Sequence, residues 1–250
     1  IQMRKAYIVA AKRSAIGTFL GSLTDVDLAT VGATVLKETI KQANIDPANL
    51  DEVIIGNVIA AGLGQNIARH VAFDAGIPVE VCAQSINMLC GSGLKAVMEA
   101  TLRIQANFGD LYVAGGVESM TRAPFMLSYK NRTGTKMGDQ KLVDAMLHDG
   151  LTDAMYGIHM GCTADNIAKK YNIKESDICV VLDDVDLTAG LCRARPSGSA
   201  GTHNGLRSVT SRLGTTDFTR IRIGVDSASR GSDLAEYVLL SLIHISEPTR

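Results

Sequence analysis

The chain has 250 residues, 46% of them hydrophobic, with a formal net charge of −1, 4% aromatic residues and no tryptophan. That apolar content is enough for a sizeable core in one large or two ordinary domains, and it excludes a disordered chain. Near-neutral charge and scarce aromatics supply neither a basic field nor a stacking platform for nucleic acid.

The first residues read IQMRKAYIVAAKR. Lys12 and Arg13 end the apolar run too early for a signal peptide or a membrane span, so a cytoplasmic location without a membrane partner is expected. Short β-branched runs at residues 6–11 (AYIVAA), 52–59 (EVIIGNVI), 83–88 (AQSINM) and 111–117 (LYVAGGV) are predicted strands. Between them, Leu28, Val31, Val35, Ile40 and Ala43 form one helical apolar stripe, and Leu94, Val97, Met98 and Leu102 form another. Asp46-Pro47 marks a turn or helix start before the second strand. Strands alternating with helices predict an α/β fold with a largely parallel, doubly wound sheet.

The five cysteines, Cys82, Cys90, Cys162, Cys179 and Cys192, are an odd number without CxxC spacing. Neither a disulfide framework nor a zinc site is indicated, a reducing compartment is the simpler assumption, and no metal is expected. By default a free cysteine is a small buried hydrophobe. Cys90 differs in its setting, SINMLCGSGLKAVMEA, where a strand ends, the thiol sits at the turn and Gly91 and Gly93 open a helix. Unpaired N–H groups and the helix dipole at such an end favour the thiolate, the form that attacks carbonyls. The glycines are expected to let a substrate approach the backbone.

NMLCGSGLKAV resembles the nucleophile motif of the thiolases. It is joined, in the family's order, by RSAIGTFLGSL (13–23), GNVIAAGLGQNIAR (56–69), AGGVESMTRAP (114–124) and GLTDAMYGIHMGCTADNIAKKYNI (150–173). The similarity spans residues 3–177, and its nearest subgroup is the acetyl-CoA C-acetyltransferases. The resemblance implies a thiolase-like N-terminal half with a two-step Claisen chemistry on acyl-CoA. Cys90 would carry the acyl group as a thioester, which a second, deprotonated acetyl-CoA would attack. It also implies that His159 and Met160 line the acyl pocket and that Leu151 touches the pantetheine arm. Coenzyme A thioesters would be substrates with no cofactor needed, and the protein would form a homo-oligomer, dimer or tetramer. Read without the motif, His159 is an ordinary hydrogen-bonded histidine and Leu151 and Met160 are core. The family's second half carries a base cysteine in a Cys-x-Gly-Gly context and a histidine in a Gly-His-Pro context. Neither occurs here, so the chain is expected to be inactive alone.

Composition changes abruptly near residue 177. Residues 1–177 hold eleven Lys and all nine Met; residues 178–250 hold no Lys, no Met and eight Arg. At the first segment's density about four or five Lys would be expected in the second. Local geometry sets the choice of Arg over Lys within one domain, so a global switch points to a join of unrelated sequences.

From Ile178 the chain opens with an apolar strand, ICVVL, and then LDDVDL, whose three aspartates lack the spacing of a calcium loop. GSAGTHNGLRS, LGTTDFTRIRIGV and DLAEYVL resemble the peptidyl-tRNA hydrolase family over residues 178–239. That likeness implies that Asp183 orients a catalytic histidine and Asn204 holds the peptidyl-tRNA ester end. The family's histidine lies in an N-terminal part not found here, and His203 does not replace it by motif position. Seven Arg against seven acidic residues in 178–240 leave no net basic field for tRNA. The last residues, LSLIHISEPTR (240–250), resemble a translated transposase-type sequencing adaptor and are expected to be unstructured.

Three regions are thus expected: a thiolase-type segment at 1–177, a foreign α/β fragment at 178–239 and an artefactual tail at 240–250. The leading function is an acyltransferase acting through Cys90. The alternatives are a peptidyl-tRNA hydrolase fragment and a noncatalytic chimera.

Overall fold

A computed structural model describes residues 4–226. The DLAEYVL motif and the tail at 240–250 lie outside the described residues. The chain divides into two compact units, Ile1–His159 and Met160–Arg250. The expected join was at 177, so the helix following Met160 groups with the second unit although its sequence resembles the first family.

The first unit is built on a parallel three-stranded sheet in the order β2-β1-β3, with β1 at Glu52–Gly56, β2 at Cys82–Ile86 and β3 at Tyr112–Gly116. Glu52 is in register with both Cys82 and Tyr112. Side chains alternate across a strand: Val53 and Ile55 pack with α1 (Leu28–Ala43) and α2 (Ile67–Asp74) on one face, and Ile54 packs with α3 (Ser92–Gln105) on the other. This is the expected doubly wound layering. Asp27 caps α1 by accepting the Ala29 amide at 2.9 Å, and Asn44, at φ 52°, ends it. A short antiparallel pair, β4 (Phe125–Met126) and β5 (Val143–Asp144), follows β3.

Two helical stripes sit differently from the sequence pattern. On α1 the buried face runs through Leu28, Gly32, Ala33, Leu36 and Ile40, with Val31 and Val35 half-buried beside it. Gly32 sets this rotation, because a β-carbon there would stand 2.7 Å from Cγ2 of Val71 on α2. On α3 the small residues Ala96 and Ala100 meet the sheet, whereas Leu94, Met98 and Leu102 are exposed. Close helix–sheet approach selects the alanine face and turns the larger side chains outward.

Residues 6–11, a predicted strand, are not one. Tyr7, Ile8 and Val9 are exposed and line one side of a groove of about 1260 Å³, with α1, α3 and β3 on the others. A β-prone run becomes a strand only where an open edge meets it; this one takes no strand partner among the described residues.

In the second unit α4 (Met160–Lys170) precedes a sheet of order β6-β8-β7, with β6 at Cys179–Thr188, β7 at Cys192–Arg195 and β8 at Thr219–Asp226. β6 runs parallel to β8, and β7 antiparallel to it. Leu182 packs with Phe218 and with Leu206 of α5 (Asn204–Leu213). Arg220 is fully buried, its guanidinium donating to the carbonyls of Gly198 at 2.6 Å and Thr216 at 2.7 Å.

Candidate active site

In parallel α/β sheets ligand clefts form beyond the carboxyl ends of the strands. Here a cleft of about 270 Å³ opens at the ends of β1 and β3, against the start of α3. Its walls include Val58 and Ile59 after β1, Leu89 and Cys90 before α3, Glu118 after β3, and Leu151.

The turn carrying Cys90 is held by its own short polar side chains. Leu89 adopts φ 50°, a region disfavoured for a branched side chain and costing about 1–3 kcal/mol. Asn87 Oδ1 accepts the Leu89 amide at 3.0 Å. The buried Ser92 hydroxyl accepts the Met88 amide at 2.9 Å and donates to the Leu89 carbonyl at 2.6 Å. Gly91 stands at the N-cap of α3 and brings no side chain to the helix end. The exposed Cys90 thiol therefore lies one residue before an end without side-chain capping, at the cleft.

Glycines allow this helix start to press on the strand ends. A β-carbon at Gly56 would meet the Ser92 carbonyl carbon at 2.4 Å and the Gly93 nitrogen at 2.5 Å. One at Gly116 would stand 3.2 Å from the Gly93 α-carbon. Gly93, expected to admit substrate, lines the cleft and faces Gly116, where a β-carbon would make only an ordinary contact at 3.7 Å.

Leu151 reaches the cleft wall at the end of an irregular helical turn, Met146–Leu151. His159 is exposed, forms an isolated bridge with Thr152 and is not among the lining residues. Met160 begins α4 in the second unit. Arg122 donates to the Thr24 carbonyl at 3.3 Å. In the second unit Asp183 Oδ1 lies 3.0 Å from His203 Nε2, and Asn204 is exposed at the first position of α5. Sequence reading missed Glu118, which lies inside the quoted GGVES stretch, and the His203–Asp183 pair. Both depend on residues far apart in the chain.

The N-terminal domain model of the thiolases matches residues 6–179. The chain belongs to the thiolase family. Its relatives include the acetyl-CoA acetyltransferase of Escherichia coli K12, 48% identical over 171 residues, 68% of this chain and 43% of that protein. The cytosolic acetyl-CoA acetyltransferase of Mus musculus is 47% identical over 166 residues, 66% of this chain and 41% of its own. The Acat5 thiolase of Ascaris suum, crystallised with coenzyme A, superposes with a TM-score of 0.65 at 36% identity, covering 68% of this chain and 44% of that one. The acetyl-CoA acetyltransferase of Bacillus anthracis gives 0.66 at 36% identity, covering 70% and 44%. The chain thus spans less than half the length of these thiolases. A peptidyl-tRNA hydrolase model matches residues 151–247, overlapping the thiolase match at 151–179.

Proposed function

We propose that the first unit is the acyl-accepting part of an acetyl-CoA C-acetyltransferase of the thiolase type, with Cys90 as nucleophile. The observation that carries this reading is an exposed thiol at the start of α3, on a strained turn, lining a cleft at the carboxyl end of a parallel sheet.

The Cys90 sulfur attacks the carbonyl carbon of an acyl-CoA thioester. The carbon–sulfur bond to coenzyme A then breaks, the coenzyme leaves as a thiol with the proton given up by Cys90, and the acyl group remains on Cys90. Leu151, on the same wall, is placed to contact the incoming thioester. In the whole protein a second acetyl-CoA, deprotonated at its methyl, attacks this acyl-cysteine. Among the described residues the cleft is lined by no histidine and no second cysteine, so the present chain supports stoichiometric acyl capture and no sustained condensation. Acyl-CoA thioesters are the substrates and no further cofactor is invoked. A reducing, cytoplasmic setting is in keeping with five free cysteines, and a homo-oligomer is carried over from the thiolase likeness alone; among the described residues no helix is long and apolar enough to cross a membrane.

The test uses the chain's own controls. All five cysteines are exposed, so incubation with acetyl-CoA followed by peptide mass analysis should place acetyl on Cys90 ahead of Cys82, Cys162, Cys179 and Cys192. Equal labelling of all five would overturn the proposal, and Cys90→Ser should abolish the preferred site.

A further inference from the structure

We infer that Glu118 is a positioning residue for Cys90, acting through a hydrogen-bonded relay that ties together the ends of all three strands of the first sheet. The functional part of this inference rests on the reading of Cys90 as nucleophile.

The relay can be followed bond by bond. Glu118 follows β3, and its Oε2 accepts the Val58 amide at 2.8 Å. Its Oε1 accepts the Ile59 amide at 3.2 Å and the Asn57 side-chain amide at 3.1 Å. Three backbone or amide donors converging on one carboxylate fix the segment leaving β1, because charge-assisted bonds of this kind are the stronger ones. The fixed segment presents the Val58 carbonyl, which accepts from Asn87 Nδ2 at 3.3 Å. With its nitrogen held there, the Asn87 side chain turns its oxygen to the Leu89 amide at 3.0 Å. That bond stabilises Leu89 in its left-handed conformation, immediately before Cys90.

Each link is necessary to the next. Removal of Glu118 leaves the Val58 and Ile59 amides without this acceptor, frees the Val58 carbonyl to move and unfixes the orientation of the Asn87 amide. Leu89 then relaxes toward an ordinary backbone region, and Cys90 turns with it. Buried Asn57, which also donates to the Val117 carbonyl at 3.1 Å and whose backbone amide bonds the Ile86 carbonyl at 2.9 Å, braces the relay from behind. A carboxylate that only capped residues 57–59 would have no reason to affect the turn after β2.

Hydrogen exchange separates the two cases in the full 250-residue chain. In Glu118→Ala, exchange should quicken at Val58 and Ile59 and also, about tenfold or more, at the Leu89 amide, while amides in the middle of α3 keep their protection. Unchanged protection at Leu89 would overturn the relay. Glu118→Gln keeps the side-chain shape with one acceptor oxygen, so it supplies the same comparison if the alanine variant folds poorly. The second readout is the iodoacetamide reactivity of Cys90 divided by that of Cys82. Alkylation follows the thiolate character and the accessibility of the sulfur, both of which depend on the turn holding Cys90 at the start of α3, and we expect the ratio to fall about tenfold in Glu118→Gln and in Asn87→Ala alike. The double variant should fall no further, because residues of one network do not contribute additively. Additive losses would show that Glu118 and Asn87 act independently, and a ratio that rises in Glu118→Gln and is unmoved in Asn87→Ala would show that Glu118 acts by its charge; either result would refute the relay. Neither readout needs acetyl-CoA, so failure of Cys90 acetylation would count against the proposed function alone.

Discussion

His203 bridges two elements of the second unit: its Nδ1 accepts the Leu206 amide at 3.0 Å, capping α5, while its Nε2 lies 3.0 Å from Asp183 Oδ1 on β6. An acceptor Nδ1 must be unprotonated, so the neutral ring carries its hydrogen on Nε2 and donates it to Asp183. Both ring nitrogens are therefore engaged, and His203 has no lone pair left to act as a base. This pairing makes His203 a structural link between β6 and α5, in keeping with its motif position outside the family's catalytic histidine.

The pair can be dissected by substitution. His203→Ala removes the cap and the link to Asp183, and should destabilise the second unit by at least about 1 kcal/mol, the usual value of a lost N-cap. His203→Asn retains an acceptor suited to the cap while losing the reach to Asp183, and should recover most of that loss. The difference in urea midpoint between the two variants reads the value of the Asp183 bond.

Two glycines near Cys90 should behave oppositely. A β-carbon at Gly56 would overlap backbone atoms of Ser92 and Gly93. Gly56→Ala should therefore cost about 1–3 kcal/mol, the range for overpacking, and displace the start of α3. At Gly93 the nearest heavy atom would be at 3.7 Å, an ordinary contact. Gly93→Ala should be neutral or stabilising by up to about 1 kcal/mol, because alanine is the better helix former. Urea unfolding of the two variants checks the contrast; equal losses would contradict the packing described.

Tyr112, on β3, gives a pH prediction. Burial, assisted by the negative charge of Asp51, holds its hydroxyl above the ordinary value of 10.0. A raised pKa means that the fold favours the neutral phenol. The associated stability is fully present below pH 10 and is lost as pH rises through the folded value, because the unfolded chain ionises first. Tyr112→Phe should thus flatten the alkaline decline of stability in the first unit. Denaturant midpoints measured from neutral pH to above pH 10 provide the check, and parallel curves for both proteins would contradict it.

What was legible in the sequence was local. The Cys90 turn could be read because the strand end, the glycines and the helix pattern are consecutive, and the layering followed from alternating strand and helix periods. The status of residues 6–11 was not legible, since a β-prone run requires a non-local edge. The α3 stripe misled because that helix carries apolar residues on more than one face, and close packing on Ile54 selected Ala96 and Ala100 over Leu94, Met98 and Leu102. Glu118 was hidden because its role exists only where three strand ends meet, and His203 because its partner is twenty residues away.

Limited trypsin digestion tests the arrangement of exposed segments. A foreign fragment without its partner strands is expected to bury too little apolar surface to be more than marginal, which would make Lys174 and the Arg193–Arg195 stretch the first sites cut. The structure reorders these sites. Residues 134–142 have no helix or strand, all of them are exposed, and they contain Lys136 and Lys141. Arg193 and Arg195 are exposed as well, but they belong to β7 and are in register with Arg222 and Arg220 of β8, so cleavage there requires local opening of the sheet. Lys174 is exposed between α4 and the short turn Glu175–Asp177, where its amide donates to Asp177 at 2.9 Å. The expected order is Lys136 or Lys141 first, Lys174 next, and Arg193 and Arg195 last. N-terminal sequencing of the earliest fragments decides. Cutting at Arg193 or Arg195 before the 134–142 segment would mean that β7 is not held by β8, and would restore the expectation of a marginal second segment.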